Sequence, residues 1–234
     1  MSKLLSVSAD AKTIKGKKYG YLTGILYLAP SDISGINVCA MATPGCKTGC
    51  LFTAGRASMY PKINKARIRK TQELFSDRQA FLDQLRKDIS TVVRKAKRER
   101  LQPCIRLNGT SDLPWIPLLL SKEFPDVQFY DYTKLPKPYT RIRPNYHLTF
   151  SHSETNLFDC LDSLWNGVNV AVVFDTKKGR PLPDSWHGYK VIDGDLSDLR
   201  FTDQTRVVVG LRAKGKAKKD CSGFVEPSKL VSIL

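Results

Sequence analysis

The sequence predicts an α/β fold: a partial or complete (β/α) barrel, or an open doubly wound sheet, of about six to seven mainly parallel strands in one domain over residues 1–234. Three observations predict it. Short β-rich runs alternate with helical stretches until about residue 166, after which the alternation weakens. Several runs are apolar almost throughout, as strands covered on both faces are. Polar clusters follow many of them, as happens where parallel strands open on a shared mouth.

The elements follow in order. Residues 21–29 (YLTGILYLA) read as the first strand, and a cysteine-rich loop comes directly after it. Residues 60–100 form a basic helical segment in which Ile63, Ala66, Leu74, Phe75, Phe81, Leu85, Ile89 and Val93 recur at helical spacing. Ser76-Asp77 breaks it into two helices and supplies an N-cap. Strands are then predicted at 104–109, 127–132, 146–151, 168–174, 189–193 and 206–210, with helices at 114–123 and 155–166. A basic loop at about 211–222 closes the pattern.

Composition limits the function. A chain of 234 residues with 41% hydrophobic and 26% charged residues can bury a core. The first residues carry no apolar stretch of signal-peptide length, and no apolar run approaches the roughly 20 residues that span a bilayer. A cytoplasmic protein is expected, without membrane contact and with reduced thiols, which argues against a disulfide framework. The net charge is +16, and four blocks (62–70, 86–100, 134–143 and 212–219) hold 21 of the 38 basic residues. Such blocks attract polyanions, nucleic acid above all. The contacts expected are Lys65, Arg67, Arg69, Lys70, Arg94, Lys95, Lys97, Arg98, Arg141, Arg143, Lys214, Lys216 and Lys218, directed at phosphate rather than at bases. A solvated basic face explains the same residues without a ligand.

Cys39, Cys46 and Cys50 stand at C-x6-C-x3-C, three of the six cysteines within twelve residues. Pro44-Gly45 supplies a turn, and Cys46 and Cys50 lie one helical turn apart. Three thiolates can hold three irons of a cubane and leave the fourth open. Zinc, the alternative, wants a fourth ligand, and neither Cys104, Cys160, Cys221 nor a histidine stands at finger spacing. Buried structural thiols remain a third reading.

A cysteine loop after the first strand of an α/β barrel resembles that of the radical S-adenosylmethionine (SAM) superfamily. The likeness is closer to small phage-type radical-SAM-like proteins, whose loop often reads C-x6-C-x2-C with "PGC" before the second cysteine. This chain keeps the first gap and Pro44-Gly45-Cys46, and adds one residue before Cys50. The segments IRLNGTSD, VQFYDYTK and YHLTFSHSE are similar in texture to strand ends of those proteins. The resemblance implies that Cys39, Cys46 and Cys50 ligate a [4Fe–4S] cluster whose open iron takes SAM. It implies that Asn108, Gly109, Thr110, Ser111 and Asp112 hold the SAM amino group, and that Ser151, Ser153 and Glu154 meet its ribose or carboxylate. Reduction of the sulfonium would then yield a 5′-deoxyadenosyl radical, acting on a nucleotide or nucleic acid. The alternative is a basic α/β nucleic-acid-binding protein, serving phage or plasmid replication or host interference, with structural cysteines or zinc.

Smaller expectations complete the reading. His152 is expected at the mouth, His147 in the core or at an edge, and His187 in a surface loop. Trp115, Trp165 and Trp186 are expected to pack. Tyr130 and Tyr132 should share one strand face. His147 and His152 are five apart, which does not match the histidine pair of a rolling-circle nuclease.

Overall fold

A computed structural model describes residues 2–7, 11–50, 52 and 59–228. In chain order the elements are β1 (Leu5–Val7), α1 (Ala11–Lys17), β2 (Tyr21–Leu26), α2 (Pro44–Gly49), α3 (Pro61–Ser76), α4 (Arg78–Glu99) and β3 (Gln102–Arg106). There follow α5 (Trp115–Glu123), β4 (Gln128–Thr133), β5 (Tyr146–Ser151), α6 (Leu157–Trp165) and β6 (Val170–Phe174). The last are β7 (Ser185–Trp186), β8 (Tyr189–Asp193), β9 (Val208–Arg212) and β10 (Val225–Glu226).

The protein is a mixed α/β structure. Among the described residues ten strands form one sheet in the order β1-β2-β3-β4-β5-β6-β9-β8-β7, with β10 paired to β6. From β2 to β8 along that order every pairing is parallel. The sheet does not close. β1 lies antiparallel on the free edge of β2, and β7 lies antiparallel on the far edge of β8, so neither end strand meets the other. A complete barrel, one of the predicted forms, is therefore not what forms.

Alternation along the strands separates two faces. Leu22, Leu26, Ile105, Leu107, Phe129 and Leu148 pack with the buried stripe of α4, namely Phe81, Leu82, Leu85, Ile89, Val92 and Ala96. Each such side chain contributes roughly 1.5–3 kcal/mol by leaving water. Asp77 caps α4 by accepting from the Ala80 N–H at 2.9 Å, as its position in the sequence predicts. Phe75, expected on the apolar face, is instead 39% exposed, and Leu74 takes the buried place. The opposite sheet face carries Thr23, Cys104, Arg106, Tyr130 and Tyr132. Part of it is covered by Leu199 and Phe201 from a 3₁₀ turn.

One departure from regular pairing positions the site. β5 pairs with the start of β6 (Ser151 with Ala171), whereas β10 pairs with its end (Val225 with Val173). The two strands part at their carboxyl ends, and the chain after β9 returns into the gap. That return brings the basic loop over the mouth of the sheet.

Candidate functional site

The carboxyl ends of β3, β4, β5, β6 and β9 open into a cavity of about 1060 Å³. Cys39, Cys46 and Cys50 line it together with residues 108–112, Tyr132, Lys134, Ser151 and His152. The sequence expectation that the cysteines and these strand ends share one mouth matches this placement.

The cysteine loop is held at three points. The Thr43 hydroxyl oxygen accepts from the Cys46 N–H at 3.3 Å and so caps α2, with Pro44 in its first turn. Glu154 binds the same turn from β5: its carboxylate accepts from the Gly45 N–H and from the Thr43 hydroxyl, both at 2.7 Å. The returning chain packs on the other side. A Cβ at Gly49 would stand 2.9 Å from two Phe224 ring carbons, and one at Gly45 would stand 2.8 Å from Phe224 Cβ. The glycines of "PGCKTGC" thus admit the strap. Cys39 is fixed separately: its sulfur accepts from the Ser31 N–H at 3.3 Å, and the neighbouring Val38 carbonyl accepts from the Asp112 N–H at 2.8 Å.

The thiols sense one another. Burial pushes the Cys39 thiol up to about 11, with charge on Asp112, Cys50 and Cys46 adding to the effect. Burial likewise raises Cys50, and Cys46 contributes. A single zinc ion with bonds of about 2.3 Å would need the sulfurs about 3.8 Å apart. Among the described residues no three His, Cys, Asp or Glu side chains are set to hold one ion. Cys104 and Cys160 lie buried elsewhere, and Cys221 is exposed, so none of them supplies a fourth ligand in this arrangement.

The segment after β3 is built on Asn108. Its side-chain oxygen accepts from the Ser111 hydroxyl and the Leu113 N–H, both at 2.9 Å, and its amide nitrogen donates to Leu113 O and to Asp131. The Thr110 hydroxyl donates to Leu28 O at 2.6 Å. Gly109 lies against β2, where a Cβ would meet Leu26 O at 2.7 Å. Asn108, Gly109, Thr110, Ser111 and Asp112 all line the cavity, yet the first four hold the turn itself. Asp112 accepts from the Lys134 N–H at 2.8 Å, and burial raises its carboxyl above the ordinary value.

Ser151 and His152 line the cavity, whereas Ser153 and Glu154 do not. Ser153 is 2% exposed and turned into the protein, and Glu154 is engaged by the cysteine loop. Of the three residues expected to meet a ligand at this strand end, Ser151 alone lines the cavity, and Glu154 instead positions the cysteine loop. His152 stands edge-on to Trp186, 3.3 Å from Glu226 Oε1, and burial pushes its pKa down to about 4. His187 is exposed, as expected, and Trp165 is 76% exposed rather than packed.

The basic residues separate into groups. Arg67, Lys70, Lys214 and Lys218 line the cavity. Lys65 and Arg69 are exposed on α3, and Lys216 is exposed on the strap. Arg94, Lys95, Lys97 and Arg98 occupy the last turns of α4, directly before β3, and so lie at the opposite end of the sheet. Arg141 donates to the Leu135 and Pro136 carbonyls, and Arg143 bridges to Tyr146. The thirteen cations expected to meet phosphate are thus divided between the two ends of the sheet, because helices run antiparallel to the strands and carry their ends to opposite edges.

Sequence reasoning missed Arg106. It is 5% exposed, ion-paired to Asp198 at 3.1 Å, and its guanidinium stacks 4.7 Å from the Tyr132 ring. Burial opposes its charge, and the Asp198 carboxylate offsets that cost. A charge inside the apolar run "CIRLNG" was the signal available. Arg200, 1% exposed and 3.2 Å from Asp203, had no such signal in its loop.

Fold and cavity together define a class: an open, mostly parallel α/β protein with a cysteine-lined, basic cleft at its strand ends. Within that class the chain belongs to the gene product 88 family, whose family model matches residues 3–227. No curated protein and no solved structure matches it. Among the described residues no helix is long and apolar enough to cross a membrane.

Proposed function

We propose that the chain is a radical-SAM-like [4Fe–4S] protein acting on a nucleotide or nucleic acid substrate. The observation that carries this reading is that Cys39, Cys46 and Cys50 all line the cavity at the strand ends. The consecutive order β2-β3-β4-β5-β6, with α4, α5 and α6 on one face, supports a partial (β/α) barrel as the scaffold. Among the described residues no three ligand side chains are set to hold one ion, so a cluster, in which each thiolate would hold a different iron, is the metal reading we prefer.

Cys39, Cys46 and Cys50 would hold the cluster, and Asp112 is the cavity carboxylate placed beside them for a SAM ammonium. Such a cluster, if bound and reduced by an external one-electron donor, would supply the reductive chemistry that cleaves a sulfonium. The protein's own part is positional. The Ser31 N–H favours the Cys39 thiolate over the thiol, and Glu154 holds the α2 turn that carries Cys46. Phe224 packs against the glycines of α2 and so fixes that helix from the other side.

Anaerobic isolation tests the reading. The expected protein is brown, with a broad visible charge-transfer band that a Cys39→Ala variant loses, and it retains SAM in equilibrium dialysis. A colourless anaerobic preparation would refute it. A second reading, a basic nucleic-acid-binding protein with structural cysteines, is favoured by the exposed cations at the end of α4. It predicts duplex binding that weakens steeply with salt whether or not iron is present.

A further inference from the structure

The cavity is strongly electropositive. Among the described residues eight lysines and arginines line it, against three carboxylates, Asp112, Asp195 and Asp198. Asp195 is already engaged by Lys214 at 2.5 Å and by Arg212 at 3.2 Å. Asp198 is engaged by Arg106. Lys134, immediately after β4, has no carboxylate within ion-pair distance among the described residues; its ammonium lies 5.7 Å from the Phe224 ring centre. Lys134 lines the cavity together with Cys50, Asp112 and His152, which come from three different segments of the chain. On the adjacent strand Arg106 is 5% exposed, and its Nε is buried with no hydrogen-bond partner. Tyr132 lies beneath the Arg106 guanidinium and two residues before Lys134, and all three line the cavity.

We infer that Arg106, Tyr132 and Lys134 form a subsite for the phosphate of a nucleotide. The inference rests on the proposed cavity but does not need the cluster. A cation fixed by stacking and one ion pair, in the same cavity as a lysine outside ion-pair distance of any carboxylate among the described residues, is poised for a dianion rather than for a neutral or cationic group. The volume exceeds what inorganic phosphate fills, and Tyr27, Tyr132 and Phe224 add aromatic surface for a base and sugar. A duplex is too wide to enter a cavity of about 1060 Å³.

Titration calorimetry on the full chain tests this, with the four ribonucleoside 5′-monophosphates, the matching nucleosides, inorganic phosphate and a short single-stranded oligonucleotide as probes. At least one monophosphate is expected to bind about tenfold or more tightly than its nucleoside and than inorganic phosphate. Lys134→Met should weaken that monophosphate by about tenfold and leave the nucleoside unchanged. If near-ultraviolet circular dichroism shows Lys134→Met misfolded, Arg106→Lys carries the same expectation. Equal binding of nucleoside and monophosphate overturns the subsite, as does equal binding of inorganic phosphate. Unchanged monophosphate binding in a folded Lys134→Met variant, or binding of the oligonucleotide alone, also overturns it. Iron measured on the same samples separates the two proposals. Phosphate discrimination without iron keeps the subsite and removes the cluster, and iron without discrimination does the reverse.

Discussion

Glu154 shows how one side chain can serve a site that it does not line. Burial works to raise its carboxyl, but hydrogen bonds from the Thr43 hydroxyl and the Gly45 N–H outweigh it and hold the group below its usual 4.5. Its stabilising contribution is therefore complete above about pH 4.5 and is lost as pH falls through the lowered value. Glu154→Gln should cost about 1–2 kcal/mol at pH 7, measured by urea unfolding, and should flatten that acid limb. An unchanged midpoint would mean that the clamp does not bear on stability. The buried histidines act in a higher window. Burial lowers His147 and His152 to about 4 from 6.5, so both are neutral in the fold at pH 7. Stability linked to them falls as pH drops from about 6.5 toward 4, while Asp131, raised by burial to about 7, works in the opposite sense. The readout is thus a difference: His152→Gln should lose less stability than the parent between pH 6.5 and 4.5. Of these residues only His152 was legible as a mouth residue, because it follows a strand. Glu154 was placed at the right strand end but given a ligand's role, since sequence does not reveal which neighbour reaches a side chain first.

At the scale of elements, long periodic segments were the readable ones. The stripe of α4 and the Ser76-Asp77 break follow from helical period and capping chemistry, and strands such as β5 (Tyr146–Ser151) from their bounds in apolar runs. Two- and three-residue strands such as β10 and β1 carry no period and were not read. Yet β10 determines how the strap returns onto α2. That packing makes a prediction contrary to helix propensity. Gly49→Ala would gain roughly 1 kcal/mol within an exposed helix. Here the new methyl stands 2.9 Å from the Phe224 ring and 3.3 Å from Ala217 Cβ, so a net loss of about 1–2 kcal/mol is expected. A Phe224→Leu background should recover part of that loss in a double-mutant cycle. If Gly49→Ala instead raises the thermal midpoint, the strap does not press on the cysteine helix.

For the whole molecule, the fold class was legible and the closure of the sheet was not. Apolar runs and polar strand ends specify parallel strands with a mouth, but whether the first strand meets the last depends on short antiparallel edge strands. Charge was legible in amount and not in placement: residues 94–98 and residues 214–218 read alike as basic blocks, yet the fold carries them to opposite ends of the sheet. We propose that the three cysteines of the mouth seat an iron–sulfur cluster with one open iron. Its most direct test counts iron and acid-labile sulfide in anaerobically isolated parent, Cys39→Ala, Cys46→Ala, Cys50→Ala and Cys221→Ala chains. About four of each per chain are expected in the parent and in Cys221→Ala, and their loss in the other three. Zinc or no metal in the parent, or loss of iron in Cys221→Ala equal to that in Cys39→Ala, would contradict it.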